Sequence, residues 1–245
     1  MSNTEIVSSL HVLDHPIWSA LNGTQQGLAE GGALARRYPV EVAPFAALRD
    51  NSAESFAALG ELMAPGDRAA LCTTDPVAPP ESFEVLMARM GDQMIGAPAD
   101  IPAGSAEIVE LGGEDVTAMM ELADLTKPGP FNTRTHSLGT FLGIRVAGRL
   151  AAMAGERMRP GRYTEITAVC THPDHRGHGY AQALLGEVAR RIHGRGEIPF
   201  LHVFSDNHAA IGLYRRLGMH TRRQLHFTAL GLASGSIGGS LHMQR

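Results

Sequence analysis

Short apolar runs alternate with helically spaced apolar residues through the second half of the chain. The runs predict strands that begin at Glu107, Thr140, Leu150, Tyr163, Phe200 and Thr221. The helical spacing predicts helices that begin at Gly113, Ala181 and Ala209. A turn at residues 147–149 joins the second and third of these strands as a hairpin. Together these elements predict a mixed α/β layer.

The pattern in the first half is less regular. Residues 15–40 suggest one or two short helices broken by glycines, and residues 38–45 suggest a strand whose prolines favour an edge or irregular position. Further strands are predicted from Arg68 and from Phe83, and no cluster of chemically reactive side chains accompanies them. We interpret this half as a scaffold or accessory domain.

Two prolines and two glycines in residues 96–104 (GAPADIPAG) interrupt any regular pattern and indicate a linker or long loop. The sequence therefore predicts an accessory domain over residues 1–104 and a second domain over residues 105–245. The glycine- and serine-rich tail beyond Gly231 offers little to bury and is predicted to be loosely held.

Composition narrows the class of protein. Of the 245 residues, 44% are hydrophobic and 19% charged, which is typical of a globular protein rather than a disordered one. The two cysteines, Cys72 and Cys170, have no spacing that supports a disulfide framework or a cysteine-based zinc site, so a reducing cytoplasm fits best. We find no signal peptide and no run near the roughly 18 apolar residues of a membrane helix, and we expect a soluble, unexported protein.

Charge excludes one class of partner and suggests another. With 21 basic and 25 acidic residues, the net charge of −4 argues against a general nucleic-acid binder. Residues up to Gly104 have a formal charge of −8 and those after it +4. This asymmetry is either a chance fluctuation on solvated faces or a sign that the second half binds a small polyanion.

The most informative segment is AVCTHPDHRGHGYAQALL, residues 168–185. Pro173 ends the strand, while Gly177 and Gly179 permit backbone angles and a close approach that a side chain would block. Unpaired N–H groups at the following helix start, with Arg176 beside them, predict an anion site suited to a diphosphate. The alternative is a tight strand-to-helix turn without a ligand. The loop lacks the GKS or GKT of a P-loop.

These residues resemble the acetyl-CoA-binding core of the GNAT superfamily of N-acetyltransferases. The family core is Gln or Arg, two residues, Gly, one residue, then Gly or Ala; this chain matches at Arg176, Gly177 and Gly179, with Asp174 in the leading position. A second segment, DNHAAIGLYRRLGM from Asp206, is similar to the later helix of the family. The resemblance covers roughly residues 107–230.

The resemblance implies a fold class and a donor site. The fold would be α/β (α+β), with a mixed, mainly antiparallel sheet and flanking helices, preceded by a smaller α/β domain that is accessory or a degenerate GNAT-like half. The strand ending at Thr171 would splay from the strand at Phe200, and the pantetheine arm of CoA would lie in the gap. Residues implied to bind acetyl-CoA are Val169, Cys170, Thr171, Arg176, Gly177, His178, Gly179, Tyr180, Ala181 and Asn207.

The resemblance also implies two catalytic residues. Tyr214 matches the general acid that protonates the departing CoA thiolate, although its spacing also fits an apolar helix face. Glu165 lies four residues before Val169, hence on the same pleat face, and matches the position of a base that draws a proton from the amine through water. Glu156 is the competing base, and pairing with an arginine is the alternative role for Glu165. Asn207 has helix capping as its alternative role.

Two other groups invite chemistry that the pattern does not favour. His172, His175 and His178 are spaced like metal ligands, but they straddle a proline and glycines and lack a natural fourth ligand, so we expect no metal site. We interpret Cys170 as a buried apolar side chain rather than as a thiol that accepts an acyl group.

The sequence therefore predicts an acetyl-CoA-dependent N-acetyltransferase that acts on a primary amine of a small molecule or peptide by direct attack in a ternary complex. Transfer of a larger acyl group, as in glycine acyltransferase-like relatives, and a non-catalytic CoA-binding regulatory module remain alternatives. No nucleic-acid or membrane partner is expected, and the protein could be a monomer or homodimer. The acidic first half suggests a cationic acceptor.

Overall fold

The structure is a computed structural model that describes residues 11–96 and 106–233. Most of the predicted linker and the tail from residue 234 lie outside the described residues. The strands are β1 (Glu30–Gly31), β2 (Ala35–Arg37), β3 (Ala46–Leu48), β4 (Ala69–Thr73), β5 (Phe83–Ile95), β6 (Val109–Leu111), β7 (Phe141–Val146), β8 (Arg149–Glu156), β9 (Tyr163–Thr171), β10 (Ile198–Phe204) and β11 (His220–Leu232). The α-helices are α1 (Pro16–Leu21), α2 (Ala53–Glu61), α3 (Val116–Thr126), α4 (Tyr180–Gly194) and α5 (His208–Arg216).

One large sheet organises the molecule. Its eight strands lie in the order β4, β11, β5, β10, β9, β8, β7, β6, and β1, β2 and β3 form a separate small sheet. In the large sheet every neighbouring pair is antiparallel except β9 and β10, which are parallel. The predicted fold class, a mixed and mainly antiparallel sheet with flanking helices, is confirmed.

The helices cover both faces of this sheet because successive strand residues point to opposite sides. Leu142 and Ala154 pack in the cluster that contains α4 and α5, whereas Phe141 and Met153 pack against α3 on the other face. Each large apolar side chain buried in this way contributes about 1.5–3 kcal/mol. Among the described helices, none is long and apolar enough to cross a membrane.

Strands from both halves of the chain share the large sheet. β5, which precedes the predicted linker, lies between β10 and β11 and pairs with β11 along its whole length. β4 pairs with the other edge of β11. The division of the chain at residue 104 stays a prediction. The large sheet contains strands from both sides of that position.

Residues 38–45 do not form the predicted strand. They make the turn between β2 and β3, in which the amides of Val42 and Ala43 both donate to the carbonyl of Pro39. Proline has no amide hydrogen for a strand ladder, so Pro39 and Pro44 favour this turn. The pattern also missed α2, although Ser52 caps that helix by accepting from the amide of Ser55.

A buried ion pair ties the first half to the large sheet. Arg157, which follows β8, donates from Nε and Nη2 to the two carboxylate oxygens of Glu165 on β9, both at 2.7 Å. The Arg157 guanidinium lies over the ring of Phe45 at 4.5 Å, and the Arg157 carbonyl accepts from Gln25 Nε2 at 2.8 Å. The pair therefore has partners from both halves.

The charge of Glu165 depends on this pairing. Burial by itself would raise the pKa of Glu165, but the positive charge and hydrogen bonds of Arg157, together with a hydrogen bond from His202, lower it to about 2. The carboxylate is thus ionised at any ordinary pH, and its full satisfaction offsets the cost of burying it.

We expect the two halves of the chain to fold only together. A fragment of residues 105–245 lacks β5, so β10 and β11 lose the strand between them, and the fragment should show little ordered structure by circular dichroism. Co-expressed fragments 1–104 and 105–245 should co-purify and recover the spectrum of the intact chain. A folded, monomeric 105–245 fragment would contradict this expectation.

Replacing Glu165 should destabilise the protein. Glu165→Gln leaves the buried Arg157 charge uncompensated and should lower the free energy of unfolding in urea by about 3–5 kcal/mol. In the unmodified protein, the contribution of ionised Glu165 to the free energy of unfolding is complete above pH 4.5, the ordinary pKa of a glutamate. It is lost as the pH falls towards about 2, the pKa of Glu165 in the folded protein. The free energy of unfolding of Glu165→Gln should not show this decrease in acid.

The control is Glu30→Gln, which removes a half-exposed carboxylate paired with Arg37. Arg37 keeps its ion pair with Asp67, and a pair at the surface contributes at most about 1 kcal/mol, so this variant should remain close to the unmodified protein. Equal effects of the two substitutions would show that the buried pair has no special role.

Candidate functional site

The gap between β9 and β10 is the central feature of the site. These parallel strands pair only over three positions, and the last pair is Phe200 with Glu165. Beyond it, β9 stays paired with β8 and β10 with β5, while residues 166–171 and 201–204 form no pairs with each other. The splay expected from the sequence resemblance is confirmed, and it leaves strand-edge N–H and C=O groups facing the gap.

A β-bulge bends β9 beside this gap. Ala168 has a φ of 54°, and the register between β8 and β9 shifts next to it. Ile166 and Val169 consequently pack with the α4 cluster, whereas Ala168 and Cys170 pack with the α3 cluster. The expectation that Glu165 and Val169 share a face is wrong, because the extra residue of a bulge breaks the alternation.

The loop after β9 leads directly into α4. After a short 3₁₀ turn at Pro173–His175, Gly177 and Gly179 have φ values of 82° and 75°, and Gly179 caps the helix. A Cβ atom at either glycine would meet nothing within 4 Å. These glycines are therefore favoured by their left-handed backbone and leave the surface beside them open.

The start of α4 is electropositive. Its Gly179 cap provides no side-chain acceptor, and its first turn, which includes Tyr180 and Ala181, contains no acidic residue. Arg176 is exposed and forms no ion pair within the described ranges. Free amides of the first turn, the helix dipole and Arg176 together make this helix start favourable for an anion, and the binding of a diphosphate here stays a prediction.

The histidines of this loop do not form a metal site in the part of the chain that the structure describes. His172 Nδ1 accepts from the amide of Asp174, and its ring centre lies 5.6 Å from that of His175. The ring of His178 stacks on Tyr180 at 5.5 Å. These contacts of the histidines are thus with the loop and with the first residue of α4.

Tyr214 is buried on α5, with 9% of its surface exposed. Burial, with a smaller contribution from the Cys170 thiol, raises the pKa of Tyr214 to about 12. Burial likewise raises the pKa of Cys170 to about 11. Both groups are protonated at neutral pH, so the phenol is equipped to donate a proton, while the thiol is a poor nucleophile. The roles of both residues in catalysis stay predictions.

Asn207 is the N-cap residue of α5, directly before His208. Its Oδ1 accepts from the amide of Ala210 at 3.1 Å, which is the helix-capping role considered as its alternative. The side chain is exposed. Contact with CoA stays a prediction for this residue.

Both candidate bases are fully buried and paired. Glu156 accepts from Arg159 at 2.6 Å and from Arg195 at 2.9 Å, and Glu165 binds Arg157 as described above. With a pKa near 2, Glu165 is a weak proton acceptor. The base role of either carboxylate stays a prediction, and the pairing with arginine is the role that the geometry shows.

The sequence patterns missed His202 on β10. Its Nδ1 lies 2.8 Å from Glu165 Oε1, and its Nε2 lies 3.1 Å from Gln93 Nε2, so the ring connects the carboxylate of β9 with the amide of β5. A histidine in the middle of the apolar run PFLHVF was the available signal, because a buried imidazole needs partners.

Comparisons with known proteins agree with this geometry. The profile of the FR47-like protein family matches residues 141–228, which include the gap, the loop and α5. An acetyltransferase from Yersinia enterocolitica is 40% identical over 119 residues, which are 44% of this chain and 82% of that protein.

Solved structures extend the likeness to nearly the whole chain. A protein from Novosphingobium aromaticivorans, assigned to the GNAT family of acetyltransferases, is 40% identical, has a TM-score of 0.82, and aligns over 91% of this chain and 100% of its own. A GCN5-related N-acetyltransferase from Kribbella flavida, 17% identical with a TM-score of 0.60, aligns over 89% and 95% and shares the fold. Because relatives at 40% identity match over most of their own length, this chain belongs to the GNAT family of acetyltransferases.

Proposed function

We propose that the protein transfers the acetyl group of acetyl-CoA to a primary amine of a small molecule or peptide, by direct attack within a ternary complex. One observation carries the proposal: the diverging end of β9 leads within one loop to the electropositive start of α4, which has no side-chain cap. A ligand with an extended amide-containing arm and a diphosphate at its end matches both features.

Backbone groups would bind the donor. The pantetheine arm would lie along β9 as an added strand and bond with Val169, Cys170 and Thr171, whose gap-facing edge has no strand partner. The diphosphate would accept hydrogen bonds from the loop and helix amides of residues 176–181, with Arg176 adding its charge. A backbone N–H directed at the thioester oxygen would stabilise the oxyanion of the tetrahedral intermediate.

The chemistry requires a neutral amine and an acid. The nitrogen lone pair attacks the thioester carbonyl, the C–N bond forms, and the C–S bond then breaks to release the CoA thiolate. Tyr214 would give its proton to that sulfur and regain one from solvent. Because Glu165 and Glu156 are held by arginines, we infer that the amine arrives as its free base and later loses its proton to water.

A CoA-binding module without turnover is the second candidate, and the paired carboxylates favour it. Incubation of the purified chain with radiolabelled acetyl-CoA and a library of primary amines separates the two. Labelled product from any amine supports the transferase, whereas tight acetyl-CoA binding with no product from any amine supports the module.

We expect Gly177→Glu to weaken acetyl-CoA binding by at least about tenfold in calorimetry, because it places a carboxylate beside the predicted diphosphate. Gly66→Glu is the matched control. This glycine also has a positive φ, of 90°, and open space at its Cβ, but it lies just before β4 in the first half of the chain. If the two variants bind acetyl-CoA with equal affinity, the assignment of the donor site is wrong.

Tyr214→Phe should lower kcat by about a hundredfold with little change in the KM for acetyl-CoA. Tyr163→Phe, which removes only a hydroxyl that contacts His11 at the paired end of β9, should retain kcat. Since the pKa of Tyr214 is raised to about 12, kcat/KM should rise with pH as the amine loses its proton and should not fall again below about pH 10. A Tyr214→Phe variant with full kcat would remove the general-acid role.

A further inference from the structure

The first half contains a second pair of diverging parallel segments. Phe45 and Ala70 form an isolated parallel bridge, and the Ala70 amide donates to the carbonyl of Pro44 at 2.6 Å. Beyond this bridge, β3 and β4 form no pairs with each other, and α2 connects them. The succession of strand, loop, helix and diverging parallel strand is the same as in β9, α4 and β10.

The helix start distinguishes this second cleft from the donor site. The carboxylate of Asp50 accepts from the Ser52 amide at 3.1 Å, from the Ser55 hydroxyl at 2.8 Å, and from the Ser52 hydroxyl. Arg49 Nε also donates to Asp50 at 2.9 Å, and these hydrogen bonds hold the pKa of Asp50 well below its usual range. The Asp50 carboxylate thus occupies the Ser52 amide at this helix start, whereas the Gly179 cap of α4 provides no side-chain acceptor for its amides.

A cavity of about 90 Å³ lies between the diverging strands. Residues 46–48 of β3 and 71–73 of β4 form two of its walls, and Trp18 of α1 and Asp75 also line it. The volume is below that of a roughly 150 Å³ cavity that accepts benzene, so the space suits the head group of a small ligand.

The chemistry of the lining favours a cation. Asp75 Oδ2 accepts from the Thr74 hydroxyl, while its Oδ1 forms no hydrogen bond with the described residues. Arg49 and Asp50 also line the cavity, and their charges offset each other because the two side chains form an ion pair. The remaining features are the Asp75 carboxylate and the aromatic ring of Trp18, and both kinds of group attract an ammonium ion.

We propose that the cleft between β3 and β4 is a second binding site, which takes a small ammonium-bearing molecule. The formal charge of −8 over residues 1–104 raises the local concentration of cations around it. The site is separate from the gap between β9 and β10, and its occupation does not require acetyl-CoA.

Trp18 gives a direct measurement, because it is the chain's single tryptophan and lines the cavity. The full chain is titrated with tetramethylammonium chloride and with methylammonium chloride at constant ionic strength, while the Trp18 fluorescence is followed. The proposal requires a saturable change with at least one ammonium ion and none with tert-butanol, a neutral molecule of similar shape. A flat titration with both ions, or an equal response to tert-butanol, would overturn it.

Two variants locate the binding. Asp75→Asn changes an exposed side chain and should weaken ammonium binding about fivefold, since it removes the uncompensated charge of the lining. Asp124→Asn, which removes an exposed carboxylate of α3 paired with Lys127, should leave the binding constant unchanged. Circular dichroism checks that both variants are folded, and equal binding constants in the two variants would overturn the proposed site.

Discussion

The limited pairing of β9 and β10 is the constraint on which the rest of the structure depends. Phe200 and Glu165 form the last pair, and the outer edges of the two strands are held by β5 and β8. The gap therefore cannot close by sliding one strand towards the other without breaking an established ladder. Along the gap, the N–H and C=O groups on the facing edges of β9 and β10 form no hydrogen bonds with each other. They therefore remain available to a ligand.

The buried polar network stands at the closed end of this gap. Arg157, Glu165, His202 and Gln93 are linked by successive hydrogen bonds, and Gln93 Nε2 also donates to the carbonyl of Leu13. A carboxylate that is satisfied in this way is suited to fixing the positions of neighbouring strands. The same satisfaction makes it poorly suited to exchange protons, so position on a strand is a weak guide to catalytic role.

The sequence predicted best what depends on neighbouring residues. β9 and the strand-to-helix loop follow from local apolar runs and from Pro173, Gly177 and Gly179, and the structure has them where the pattern placed them. The bulge at Ala168 was not predictable, because alanine carries no local signal for a positive φ. The turn at residues 38–45 was not predicted, because the apolar side chains of this segment are typical of a strand. Its two prolines, which lack the amide hydrogens of a strand ladder, were the signal for a turn.

Contacts between distant segments were beyond reach of the pattern. The position of β5 between β10 and β11, and the contacts of Arg157 with Phe45 and Gln25, depend on how segments from the two halves meet. Composition gave the charge of each half, but the pairing of Asp50 with Ser52 and Ser55 decides where that charge is available.

The exchange of strands has a consequence for synthesis of the protein in the cell. β5 is synthesised before both of its neighbours in the sheet, β10 and β11, and about 100 residues separate its end from the start of β10. Until those residues have been made, a strand of 13 residues has both edges unpaired. Such an edge invites association with other chains, which makes nascent-chain protection a requirement of this topology. Its long-range pairing also predicts slow closure of the sheet after release.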